Sequence, residues 1–141
     1  MELLGKSIED QAIVQMYLWT IDTMGSIISI NCEKIPEGDR EAFKQMQWKS
    51  NVLPRMLKYE NYVKGNKWFL GYLSIIDFSI YELVRYMEML FPHKEECLPK
   101  LKLIEREVAN LPSIREYENS RRAIKEMDPS VLLKRFREAT S

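Results

Sequence analysis

One tetrapeptide constrains the fold of this chain more than any other: Ser74-Ile75-Ile76-Asp77. A serine with an acid three residues later, ahead of an apolar run, marks a helix N-terminus. The hydroxyl accepts from an orphan amide of the first turn, and the carboxylate reaches back to the serine amide. Leu73 before the cap and Phe78 after it are placed to form a hydrophobic staple. Ile76, Ile80, Leu83, Val84, Met87 and Leu90 then recur at spacings of three and four, and Pro92 closes the run. This pattern predicts a helix that needs contact on several sides and sits at the centre of the domain.

The rest of the chain reads in the same period. Ser7-Ile8-Glu9-Asp10 is a second cap with an acid at the third helical position, and an apolar stripe from Ile13 through Ile28 follows it to about Asn31. Glu33 to Asp39, with Pro36 and Gly38, reads as a loop. Phe43 to Val63 predicts a second long helix, kinked but not ended by Pro54 and stopped by a left-handed residue at Gly65-Asn66. Pro99 and Pro112 stand at first helical positions, where a missing amide costs no hydrogen bond. Val131 to Phe136 predicts a short terminal helix. Nowhere does a trustworthy period-two alternation occur, so the expected fold is all-α, a bundle of five or six helices.

Composition narrows the function. The charges balance at 21 basic and 21 acidic, nine of each up to Gly71 and twelve of each after it, so no basic half attracts nucleic acid. Asp10, Thr20 and Asp22 interrupt the first helix, so no membrane span is expected. No secretory leader is visible. Cys32 and Cys97 are far apart and lack metal-ligand spacing, which suits free thiols in a reducing, cytoplasmic compartment.

From Gly65 to Phe78 the chain reads Gly-Asn-Lys-Trp-Phe-Leu-Gly-Tyr-Leu-Ser-Ile-Ile-Asp-Phe. This resembles the segment before helix 6 of the C-terminal helical domain of glutathione transferases. The resemblance continues through Leu98-Pro99-Lys100-Leu101 and Leu111-Pro112-Ser113-Ile114-Arg115-Glu116-Tyr117. Leu53-Pro54 with Met56, Leu57 and Tyr59 looks like the family's helix 5, nearest to the mu and sigma-like classes. On this reading residues 1–6 are a linker-like start, 7–120 the helical domain, and 121–141 an extension with a short helix.

The family's catalytic group sits in a thioredoxin-like first domain, for which this sequence has no βαβ opening. The resemblance therefore implies a C-terminal domain standing alone, either encoded so or cut from a longer enzyme. It implies a protein-interaction or assembly module with no catalytic residue and no cofactor of its own. The alternative is the C-terminal half of a mu-like transferase that conjugates glutathione to hydrophobic electrophiles once a first domain is supplied.

The resemblance also proposes residues. Asp22 stands where mu-like relatives hold the glutathione amine, a task suited to a carboxylate; the other reading is a solvated helix residue. Met24, Gly25 and Cys32 fall on the wall of the electrophile pocket, although Cys32 replaces a tyrosine of mu enzymes, and Met24 reads first as core or interface. Ser74 and Asp77 are structural caps, not catalysts. His93 has no second histidine or nucleophile beside it, and no metal set is visible. Arg121, Arg122 and Lys125 form a basic cluster that Glu126 and Asp128 offset. Tyr17, Trp19 and Trp48 lie on the first two helices, which in the family form the subunit interface. Tyr17 and Trp19 are the expected contact surface for a protein partner or a second copy.

Overall fold

The computed structural model describes residues 3–33, 36–91 and 97–120; within these ranges the side chains of residues 22, 25–33, 89 and 90 lie outside the description. The helices are α1 (Ile8–Glu33), α2 (Arg40–Gln47), α3 (Leu53–Tyr62), α4 (Ile75–Leu90), α5 (Pro99–Ala109) and α6 (Pro112–Asn119). No strand occurs among the described residues. The all-α bundle is as expected; the proposed helix at 131–136, Pro92, His93 and the basic cluster at 121–125 lie outside the described residues.

Helix α4 is the centre. Ile76 and Ile80 are fully buried, Leu83, Val84 and Met87 nearly so, and α4 packs against both α5 and α1. Its start matches the sequence reading. Both halves of a capping box are present, with the Ser74 amide donating to Asp77 Oδ2 at 2.8 Å. Asp77 also accepts, on Oδ1, the amide of Phe69 at 2.9 Å, so one buried carboxylate pins the preceding loop to the helix. Burial pushes the Asp77 carboxyl above the usual carboxylate range, while the bonds from Phe69 and Ser74 oppose the shift.

The second long helix is resolved differently from a simple kink. A π turn at Trp48–Val52 separates α2 from α3, and the Leu53 amide reaches Trp48 O. Pro54 has no amide and its ring crowds the carbonyl four residues back, so widening the preceding turn relieves the clash without ending the helix. Gly65 is not the left-handed stop. The glycines with positive φ are Gly5 and Gly71. Gly65 is required because a Cβ there would lie 2.6 Å from Gly71 Cα and 2.7 Å from Trp68 O.

Helix α5 has an unexpected cap. Glu60 on α3 is 6 % exposed and accepts the amides of Lys100 at 2.7 Å and Leu101 at 2.8 Å. A carboxylate from a neighbouring helix thus fills the positive end of α5. At the chain start, Leu3 O accepts the Ile75 amide at 2.9 Å, and the Lys6 amide donates to Tyr72 Oη at 2.8 Å. The Tyr72 hydroxyl in turn donates to Asp10 at 2.6 Å. Residues 3–6 are therefore bonded to the entrance of α4.

Candidate functional site

Helix α1 carries large apolar residues on its outer side as well as its inner one, among the polar Glu9, Gln11 and Gln15, and this is what makes it a site. Its inner residues Val14, Ile21 and Met24 are buried in the core. Its outer residues are not covered: Ile8 is 85 % exposed, Met16 54 % and Trp19 73 %. Ile8, Ala12, Met16 and Trp19 recur at spacings of four, four and three, which places them along one outward stripe. Ser7 starts the helix by accepting the Asp10 amide on its hydroxyl at 3.0 Å. Thr20 and Thr23 return their hydroxyls to carbonyls of the preceding turn, Met16 O at 2.8 Å and Trp19 O at 2.7 Å. These threonines therefore present methyl groups and spent donors, which adds little polarity to the stripe.

The three aromatic residues of the sequence reading take different places. Trp19 points outward. Tyr17 is half-buried, its ring 5.7 Å from Tyr59, 4.9 Å from Tyr62 and 5.1 Å from Phe69. Burial raises the Tyr17 phenol above its ordinary value, so it stays a neutral donor at physiological pH. Trp48, expected on the uncovered surface, is 4 % exposed and lies 5.2 Å from Phe91. The π turn directs it into the core.

The catalytic and glutathione readings meet little geometry. Met24 is in the core. Asp22, Gly25 and Cys32 lie on α1, and their side chains are outside the described residues. Cys97 is exposed just before α5. No group of three or more histidine, cysteine or acidic side chains that could hold a metal occurs among the described residues. A cavity among the described residues is small, about 10 Å³, and apolar residues such as Trp48, Met56, Val84 and Phe91 line it beside the Glu88–Lys102 ion pair. That is about one water's worth of space, too little for an organic substrate.

Two polar clusters escaped the sequence reading. Glu60 has no local motif to announce it. Tyr81 and Arg85 on α4 both bond to Glu118 on α6. Burial, and the bond donated to the Glu118 carboxylate, push the Tyr81 phenol up to about 12. This cluster fastens α6 to the bundle and has no nucleophile within it.

Comparison with known proteins agrees with the fold. The sequence model of the family described as "Glutathione S-transferase, C-terminal domain" matches residues 21–121. Glutathione S-transferase A2 of Homo sapiens is 29 % identical over 122 residues, 82 % of this chain and 53 % of that protein. Glutathione S-transferase alpha M14 of Sus scrofa is 27 % identical over 122 residues, with 82 % and 53 % covered. Glutathione S-transferase A2 of Bos taurus is 28 % identical over 124 residues, with 82 % and 52 % covered. The chain spans about half the length of the curated relatives it matches. Alpha-type relatives, not mu- or sigma-like ones, are found. The motifs that carried the resemblance are helix caps and proline starts, which serve the fold and discriminate poorly between classes.

Proposed function

The chain belongs to the glutathione S-transferase C-terminal domain family, and within it we propose that this domain acts as a protein-interaction and assembly module. One observation carries the reading: the outer stripe of α1, which ends on Trp19, 73 % exposed. The outward face of a surface helix is ordinarily polar, and α1 instead leaves Ile8, Met16 and Trp19 in solvent beside Gln11 and Gln15. A contiguous exposed apolar patch marks a partner surface. Tryptophan is a preferred anchor at such surfaces because one side chain removes much apolar area from water. The proposed occupant is a protein face, a second copy of the chain being the simplest. The module needs no cofactor, and thiol chemistry at Cys32 and Cys97 has no part in it.

The relatives favour a second reading, in which the bundle is the helical half of a complete transferase. Asp22 would then meet the glutathione amine, and Gly25 and Cys32 would border the electrophile, with the thioredoxin-like half supplied separately. Glutathione would be a ligand only in that assembly.

Turnover separates the two. The purified chain, given glutathione and a standard hydrophobic electrophile, is expected to show no conjugation above the uncatalysed rate. Positioning two reactants contributes up to ~7–11 kcal/mol in well-oriented sites, and the cavity beside Trp48 among the described residues is too small to hold either reactant. Steady-state conjugation that Asp22→Ala abolishes would replace the assembly reading with the enzymatic one.

A further inference from the structure

We propose that the outer ridge of α2 and α3 is a second docking surface, for an acidic polypeptide segment that carries apolar side chains. From the start of α2 at residue 40 to residue 76 the sequence holds seven basic residues, Arg40, Lys44, Lys49, Arg55, Lys58, Lys64 and Lys67, and two acids, Glu41 and Glu60. Glu60 is buried on the first amides of α5, so its charge does not offset the cations at the surface. In a chain of zero formal net charge this is a concentrated positive face. Lys67 is paired with Glu107. Lys49, Arg55 and Lys58 are exposed and enter no salt bridge among the described residues.

The ridge has the layout of an interface. Trp48, Val52, Met56 and Tyr59 mark its buried side. Met46, Ser50, Pro54, Leu57 and Asn61 recur at spacings of three and four on the opposite side, and all are exposed. Met46 is 53 % exposed and Leu57 38 %. Helical rotation sets Lys49 on one flank of this crest and Arg55 with Lys58 on the other. An apolar centre within a charged rim is the usual anatomy of a non-obligate interface, and an exposed methionine adapts to varied partners.

Charge complementarity selects an acidic occupant, and the crest selects polypeptide. It offers no exposed tryptophan or phenylalanine for a lipid interface and no aromatic platform for stacking bases. Gln45 and Asn51 donate to Glu41 and Gln47 within the helix and keep their amide oxygens as acceptors for a peptide backbone, and Asn61 is exposed beside Leu57 and Lys58 on the same turn. Met46 and Leu57 are eleven residues apart, ~16 Å at the helical rise. An extended peptide covers that distance in about five residues.

The test uses the 141-residue chain and a fluorescent peptide of about a dozen residues, with two leucines about five apart among glutamates. Anisotropy is expected to show saturable binding that weakens with added salt. Lys49→Glu with Lys58→Glu is expected to weaken it at least about tenfold at unchanged melting temperature. If that pair lowers the melt, Lys49→Gln with Lys58→Gln takes its place, with the same loss expected. Met46→Asp is expected to weaken binding too, while Trp19→Asp leaves it unchanged, which keeps this surface separate from the α1 face. No binding by the wild-type chain, equal binding by the charge variants, or preferential capture by phosphatidylserine vesicles would overturn the proposal.

Discussion

Helices α1 and α4 are both long and rich in apolar residues, and the bundle treats them oppositely. Helix α4 is enclosed: α5 and α1 pack on it, and its first turn is satisfied by Asp77, Ser74 and the Leu3 carbonyl. Helix α1 gives its inner side to α4 and leaves Ile8, Met16 and Trp19 in solvent. The apolar content of α4 is accounted for by packing within the chain. That of α1 is only half accounted for, and the remainder is the argument for a partner.

The largest effect that sharpens this contrast comes from equal truncations on the two helices. Ile80→Ala should cost ~2–5 kcal/mol by removing a fully buried side chain, while Met16→Ala on the outside should stay within ~0.5 kcal/mol. Urea denaturation of both variants checks this; equal losses would mean that α1 is enclosed too. The caps come next. Asp77→Ala strands the Ser74 and Phe69 amides in the core, for ~2–4 kcal/mol, while Ser7→Ala at the part-buried start of α1 should cost ~1 kcal/mol. Thermal melts would separate them, since ~1 kcal/mol moves a domain of this size by ~2–4 °C. Glu60→Ala frees two amides at the start of α5 and should cost ~1–3 kcal/mol, with hydrogen exchange rising first at Lys100 and Leu101.

A smaller effect concerns pH. The folded-state value of Asp77 is raised by burial, so its contribution is complete below the unfolded value and is lost as pH rises through the folded one. The stability advantage of wild type over Asp77→Asn should therefore narrow as pH rises from the unfolded carboxyl's value of about 4 through the higher folded one. Paired urea titrations at the two ends would show it, and a widening gap would mean that the bonds from Ser74 and Phe69 outweigh desolvation.

What was legible in the sequence is what a few neighbouring residues decide. Ser74 with Asp77, Ser7, Pro99 and Pro112 each act within one turn of themselves, and each marks the helix start the structure has. The misreadings are all matters of distant approach. Gly65 looked like a turn residue, but its constraint is the backbone of Gly71 and Trp68. Pro54 announced a disturbance, yet whether the helix kinks or widens into a π turn depends on where Trp48 and Val52 must pack. Glu60 caps a helix that begins some forty residues later, and no local pattern distinguishes it from a surface glutamate. Of the candidate site, Trp19 was legible as a large apolar residue on an amphipathic helix. That Tyr17 would turn inward and Trp48 become core follows only from the contacts of the fold.

The most direct test of a bare α1 face is analytical ultracentrifugation of the wild-type chain beside Trp19→Asp over a wide concentration range. The account predicts reversible self-association of the wild type, weakened at least ~30-fold, or ~2 kcal/mol, in the variant at an unchanged melting temperature. A wild-type chain that stays monomeric at every concentration, or a Trp19→Asp variant that associates equally well, would contradict it.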